Sequence, residues 1–193
     1  MVKKEKKSKW GMVLVIFITL IMVSSILGFI YSSSDNTTQF KYNKIKFKRT
    51  NYGWSASINH KNFLFDYSPV DVEPIELSPE ISSFISNKPE IDSTSIINDT
   101  FAEEIALAEY NMNLALNKMS IYLRSGFTAN NTFNLPIITC DDATYSIPVI
   151  YFMQSNETKI TLQNNCIIAE ARNNIDILRI KDRLLYSIVG VIG

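Results

Sequence analysis

One run of the sequence limits the fold more than any other. Residues 10–31, which read WGMVLVIFITLIMVSSILGFIY, contain no charged side chain. As an α-helix this run would extend about 33 Å at 1.5 Å per residue, which matches a bilayer hydrocarbon core of roughly 30 Å. A soluble helix that is apolar on every side needs a large core around it, and the rest of this chain is too short to enclose one of that length. The sequence therefore predicts a transmembrane helix.

Charges beside the run predict its direction. Residues 1–9 hold five lysines and one acid, and such a cluster favours the cytoplasmic side. Basic residues between Lys41 and Arg49 weaken this argument, because they follow the run closely. A cleaved signal peptide is the alternative, but its apolar core usually has about 7–15 residues and ends in small side chains. We therefore expect a cytoplasmic tail over 1–9, a transmembrane helix over 10–31, a linker over 32–38 and an extracytoplasmic domain over 39–193.

The charge balance excludes one class of partner. The chain has 19 basic and 19 acidic residues, and removing residues 1–9 leaves 14 basic against 18 acidic, a net charge of −4. Nucleic-acid binding draws on an excess of Lys and Arg, so no nucleic acid is expected. The stretch from Asp66 to Glu109 contains eleven acidic residues and a single basic one, Lys88. Such a run of charge is typical of a solvated surface. A cation-binding or partner-docking surface is the alternative, although no metal-ligand spacing is present and no metal or cofactor is predicted.

Two cysteines, Cys140 and Cys166, are the only ones in the chain. In an extracytoplasmic domain they are expected to form a disulfide with each other. Two buried thiols or a reactive cysteine are the alternatives. Reactivity requires an electropositive setting, whereas Asp141 and Asp142 follow Cys140 directly and should raise its pKa. The only histidine, His60, lies in a polar turn and is expected to be solvated, although a Cys-His pair stays open.

Four Asn-x-Ser/Thr sequons are candidate glycosylation sites, an interpretation that depends on the outward placement of the domain. About three sequons are expected by chance in a chain with this much Asn, Ser and Thr, so they add little to that placement. They begin at Asn36, Asn98, Asn130 and Asn156.

The domain is predicted to be α+β. Period-two patterns predict an antiparallel meander at its start, and a four-three apolar spacing predicts a long central helix that stops at Gly126. Four short apolar runs predict a four-stranded sheet region near the carboxyl end, followed by a final amphipathic helix. The expected strands are 40–49, 54–58, 63–67, 94–98, 135–139, 147–153, 159–162 and 166–169, and the expected helices are 79–86, with Ser78 as N-cap, 101–123 and 174–189.

Several stretches carry a resemblance to a known group of proteins. They are PIITCDD at 136–142, PVIYF at 148–152, NNCIIAEA at 164–171 and KDRLLYSIVGV at 181–191. These stretches resemble the carboxy-terminal half of uncharacterised archaeal proteins that have one amino-terminal transmembrane span, and the aromatic meander at 40–67 is similar too. The resemblance implies an archaeal envelope setting and no particular activity.

The functional expectation is a non-enzymatic one. A nucleophile elbow, a zinc spacing, a phosphate loop and a Cys-x-x-Cys pair are all missing from the sequence. We expect a membrane-anchored protein that binds a protein partner, or serves as an accessory subunit, in an envelope assembly, with 10–31 in the lipid bilayer. One alternative is an extracytoplasmic enzyme that uses Asp141 and Asp142 at a strand end. The other is a pilin-like filament subunit built around the apolar helix.

Overall fold

The computed structural model describes residues 9–32 and 38–192, in two units that are considered separately. The first unit contains helix α1, Lys9–Ser32, a single 24-residue helix. Its hydroxyl groups bond within the helix, since Thr19 Oγ1 donates to Val15 O at 2.8 Å and Ser24 Oγ to Leu20 O at 2.7 Å. Across the described ranges, no helix is both long enough and apolar enough to cross a membrane. Most of the predicted tail, most of the predicted linker and the sequon at Asn36 lie outside the described residues.

The second unit opens with an antiparallel meander. Its strands are β1 Gln39–Tyr42, β2 Ile45–Thr50, β3 Gly53–Ile58 and β4 Lys61–Phe65, each paired with the next. The prediction of one strand over 40–49 was wrong. Asn43 and Lys44 adopt positive φ angles of 44° and 68°, which close a tight hairpin turn between β1 and β2. In the sequence, this turn was indicated by the break in the apolar alternation at Asn43.

Two short helices follow the meander. Helix α2, Pro69–Val72, was not predicted; Ser68 and Asp71 form a capping box at its start. Helix α3, Pro79–Ile85, agrees with the prediction, and the Ser78 hydroxyl accepts a hydrogen bond from the Ile81 amide as expected of an N-cap.

The rest of the domain is built on a mixed sheet of five strands, not the predicted four. In spatial order the strands are β6, β5, β7, β9 and β8; the first four are mutually parallel and β8 is antiparallel at one edge. Helix α4 connects β5 to β6, and helix α5 follows β9. The prediction of an α+β domain is therefore confirmed. The bounds are β5 Glu90–Ser95, α4 Ala102–Asn117, β6 Tyr122–Phe127, β7 Val149–Gln154, β8 Lys159–Gln163, β9 Cys166–Ala171 and α5 Asn174–Ile188.

The predicted helix over 101–123 was too long. Helix α4 ends at Asn117, and Ser120 takes the left-handed conformation with φ 62°, a position that glycine usually fills. The chain then continues as β6, so Gly126 lies inside a strand instead of ending a helix. A Cβ atom on Gly126 would lie 2.5 Å from the Pro136 carbonyl oxygen, so this glycine permits a close approach of the next segment.

The segment between β6 and β7 crosses one face of the mixed sheet. The predicted strand over 135–139 was wrong, because only Ile137 makes a bridge, parallel to Phe127. Cys140–Asp142 then form a short 3-10 turn. Beneath this segment lies a small apolar cluster, separate from the main core, that contains Ile138, Val149, Cys166 and Ile168.

The other face of the mixed sheet carries α4 and α5, and the meander packs on the far side of these helices. Tyr186 of α5 contacts both Phe47 and Phe65 of the meander, with ring centroids 5.9 Å and 4.1 Å away. Because α5 is enclosed between two sheets, its residues from Ile180 to Ile188 are buried on every side, including Lys181, Asp182 and Arg183. Lys181 and Arg183 therefore lie inside the domain, and not on the outer polar side that the prediction of an amphipathic helix implies. The apolar tail after α5 packs into the core.

The predicted disulfide between Cys140 and Cys166 is confirmed. It joins the 3-10 turn of the β6–β7 segment to the first residue of β9. This covalent link holds the crossing segment against the sheet, where few backbone hydrogen bonds do so.

Replacing both cysteines by alanine is expected to lower the free energy of unfolding of the domain by about 3 kcal/mol, because the unfolded chain regains the entropy of an open loop. Urea denaturation of the variant and of wild type measures the difference. Wild type under a strong reductant is the control and should fall to the same value. Equal stability of oxidised wild type and the variant would contradict the expectation.

Candidate functional site

Asp141 and Asp142, the acids of the enzymatic hypothesis, lie exposed in the 3-10 turn. Asp142 accepts hydrogen bonds from the Thr139 amide at 2.8 Å and from the Thr139 hydroxyl at 2.9 Å. These bonds hold the pKa of Asp142 below its usual value, so the group stays ionised and caps the turn. The geometry gives Asp142 a structural role. It leaves Asp141 without a second free carboxyl group with which to share acid-base catalysis.

The remaining predicted positions are dispersed over the surface. His60 is exposed in the turn between β3 and β4. The sequon residues Asn98, Asn130 and Asn156 are exposed in the connections that leave β5, β6 and β7. Within the described ranges, no three His, Cys, Asp or Glu side chains come together in a way that could hold a metal ion.

A groove beside β6 is the site that the sequence did not predict. β6 is the last strand on its side of the mixed sheet. The groove has a volume of about 500 Å³ and lies between α4, the outer edge of β6 and the beginning of the crossing segment. We call it the β6 groove; Ala106, Glu109, Tyr110, Asn113, Tyr122, Leu123, Arg124, Ser125, Leu135 and Pro136 line it.

The backbone of β6 presents free hydrogen-bonding groups to this groove. The Tyr122 and Thr128 amides donate inward, to Pro89 O and Ser95 O, so the backbone groups of alternate residues point the other way. At the far end, Phe127 uses that outer edge: its amide donates to Pro136 O and its carbonyl accepts from the Ile138 amide. Among residues 9–32 and 38–192, no backbone group pairs with the outward-facing amides and carbonyls of Leu123 and Ser125.

Apolar side chains surround the free edge. Tyr110 of α4 is 61% exposed, Tyr122 58% and Phe133 66%, and Leu135 and Ile137 are exposed beside them. Exposed aromatic and aliphatic groups gathered at one place are typical of a protein-binding surface, whereas single ones are ordinary. Leu107 and Leu114 of α4 are exposed as well, and so lie outside the buried stripe of the helix.

Glu109 lies in the β6 groove, on the α4 side. Its carboxylate accepts a hydrogen bond from the Ser93 hydroxyl at 2.6 Å and another from the Ser125 hydroxyl. Burial raises the pKa of Glu109, and the two hydroxyls offset only part of that effect. No lysine or arginine of the described chain pairs with this carboxylate.

Arg124 projects from the opposite face of β6. Its Nε donates to Asp92 Oδ1 at 2.8 Å and its Nη2 to Asp92 Oδ2 at 2.5 Å. Asp92 is buried, so the prediction of a fully solvated acidic face between 66 and 109 fails at this residue. The guanidinium is therefore committed to Asp92 and is not the counter-ion of Glu109.

A second polar cluster sits between the meander and α5. Lys181 Nζ is fully buried and donates to Asp66 Oδ2 at 2.6 Å and to Asp182 Oδ1 at 2.5 Å. Asp182 also accepts the Tyr67 amide at 2.8 Å. The contacts with Asp66 and with the Tyr67 amide tie α5 to the chain that leaves β4, so we assign this cluster a structural role.

Sequence reasoning missed the β6 groove for two reasons. β6 was assigned to a helix, so no free strand edge was expected. β5 is central but polar, and its side chains are satisfied only by tertiary contacts: Ser93 with Glu109 and Thr94 with Ile138 O. The usable signal was Asp92 and Arg124, an acid and a base that a helix boundary before Tyr122 would have placed on adjacent strands.

Comparison of the chain with protein-family models, with curated protein sequences and with solved structures finds no match. The proposed function therefore rests on the sequence and the geometry of this chain.

The Lys181 cluster generates a pH-dependent prediction. Burial raises the pKa of Asp182 to about 6, which Lys181 opposes only in part. A raised pKa means that the folded state holds the proton more tightly, so wild type loses stability as the pH rises through the interval from about 4 to about 6. Asp182→Asn resembles the protonated side chain and escapes this loss. The variant is expected to gain about 3 kcal/mol relative to wild type between pH 4 and pH 7.

Urea denaturation of both proteins across this pH range measures the change. Exposed Asp141→Asn is the matched control and should keep a nearly constant difference from wild type. A difference between Asp182→Asn and wild type that does not vary with pH would contradict the assignment.

Proposed function

We propose that the protein is a single-pass, membrane-anchored subunit whose extracytoplasmic domain binds an extended segment of a partner protein along the outer edge of β6. In this mode a peptide adds a strand to an exposed sheet edge; backbone hydrogen bonds supply affinity and side-chain pockets supply specificity. The observation that carries the proposal is the pair of unpartnered backbone positions, Leu123 and Ser125, inside the β6 groove.

The same edge already pairs with one residue of this chain. Phe127 and Ile137 form a parallel bridge with hydrogen bonds of 3.0 Å and 2.9 Å. The crossing segment then departs, because the Leu135 amide donates to the Asn131 side chain and not to β6. An incoming strand would continue the pairing from where Ile137 leaves it, past Ser125 and Leu123.

The anchor is proposed from the sequence. Residues 10–31 are uncharged, α1 is unbroken over Lys9–Ser32, and its described hydroxyls bond to carbonyls of the preceding turn, as a lipid setting requires. The disulfide is consistent with placement of the domain in an oxidising compartment. An archaeal envelope stays part of this proposal, through the resemblance alone.

The alternatives draw less support. An enzyme using Asp141 and Asp142 as an acid-base pair would need both carboxyl groups free to transfer protons, whereas Asp142 is engaged by Thr139. A pilin-like subunit usually carries an acidic residue early in its apolar helix, and residues 10–31 contain none.

The anchor predicts a depth-dependent effect of charge. Leu20→Lys together with Ile16→Lys puts two charges near the centre of the run, each at about 3 kcal/mol on the membrane-insertion scale. The variant is expected to leave the membrane fraction after carbonate washing. Trp10→Lys, at the end of the run, is the control and should stay membrane-bound. Wild-type protein that is itself released by carbonate would contradict the anchor, and protease shielding of a carboxy-terminal tag in intact cells would contradict the outward placement.

The binding proposal is tested by photo-crosslinking in intact membranes. A photoreactive amino acid at Leu135, on the wall of the groove, is expected to give a discrete protein adduct, whereas the same group at exposed Val70 of α2 is not. Adding Ser125→Pro removes an outward amide but no bond to β5, and should reduce the adduct about tenfold.

Ser125→Ala is the matched control, because it removes the same hydroxyl and keeps the amide. It should leave most of the adduct. Equal adducts from Leu135 and Val70, or an adduct insensitive to Ser125→Pro, would contradict capture at the strand edge.

A further inference from the structure

The β6 groove holds more than a free backbone edge, and the following inference rests on the proposed function. Side chains of β6 alternate between its two faces, with Ser125 directed at Glu109 of α4 and Arg124 directed the opposite way at Asp92. A strand added beside β6 would alternate in the same manner. One of its side chains would therefore enter the gap between β6 and α4.

That gap ends at a carboxyl group without a counter-ion. Glu109 is held by the hydroxyls of Ser93 and Ser125, which fix its orientation but carry no charge. Its neighbour Arg124 is bound to Asp92 on the other face. An added strand would shield Glu109 further from water, and an ionised carboxylate without a cation would then be strongly destabilised.

The walls of the gap suit a long side chain with a charged end. Ala106, Tyr110 and Leu135 provide apolar surface along the way, and Asn113 adds a polar group. Lys and Arg bury their aliphatic stems against such surfaces while their charged ends reach a polar partner. An acidic side chain would place two carboxyl groups together, and a short one would not reach.

We infer that the segment bound along β6 carries a lysine or arginine whose side chain enters this gap and pairs with the Glu109 carboxylate. The backbone edge then sets the extended conformation and Glu109 selects the residue type. Burial without a cation raises the pKa of Glu109 in the free protein, and the incoming cation would bring that pKa down again.

The test uses the full-length protein in lipid nanodiscs and three fluorescent nine-residue peptides of sequence TQVTXTVQT, where X is lysine, norleucine or glutamate. Fluorescence anisotropy measures each dissociation constant. Wild type is expected to bind the lysine peptide at least tenfold more tightly than the norleucine peptide, with the glutamate peptide weakest. Glu109→Gln should bring the lysine and norleucine peptides within about twofold of each other.

Two further variants separate this inference from the proposed function. Glu103→Gln removes an exposed acid from the first turn of α4 and should keep the full lysine preference. Ser125→Pro should weaken all three peptides together. Binding that requires the Ser125 amide but shows no lysine preference would overturn the pairing with Glu109 and leave edge capture standing. Absence of binding that depends on the Ser125 amide, for every peptide, would overturn both.

Discussion

The enclosure of α5 between two sheets is the constraint on which the domain depends. A helix covered on one side can send its charges to water, but Lys181, Asp182 and Arg183 have protein on every side. Lys181 and Asp182 find their partners within the core, in each other, in Asp66 and in the Tyr67 amide. Arg183 Nε donates to the Ile75 carbonyl, whereas its Nη1 has no hydrogen-bond partner among the described residues. Buried ionic groups of this kind add little net stability, but they admit few alternative packings, because a shifted helix would leave a charge unpaired. These contacts fix the position of the meander relative to the helices.

The same layering explains why the mixed sheet ends openly at β6. Parallel strands are normally covered on both faces by crossover helices, whereas here α4 and α5 share one face and an irregular segment crosses the other. At its opposite edge the sheet ends with the antiparallel strand β8. β6 has only the single bridge at Phe127, so its remaining outer groups face a groove instead of another strand. Edges of this kind are rarely left flat and unprotected in proteins that act alone.

Prediction from sequence succeeded where local signals decide the structure. The Ser78 cap, the disulfide, the β8–β9 hairpin and α5 follow from capping, from cysteine count and from periodicity. It failed where tertiary contacts override the pattern. Met119 and Tyr122 continue the four-three spacing of α4 by coincidence. The left-handed turn after the helix falls on Ser120 and not on a glycine, so the sequence carried no signal for it. The groove was lost with β6, because a free edge exists only once the strand order is known.

The cross-link between Cys140 and Cys166 acts on more than stability. Leu135 and Pro136, which form one wall of the groove, lie only a few residues before Cys140, and the Pro136 carbonyl is drawn close to β6 by the absence of a side chain at Gly126. One end of this wall is thus held by the disulfide, and the other packs directly against the backbone of Gly126. The width of the β6 groove is consequently fixed by the covalent and backbone framework before any partner binds.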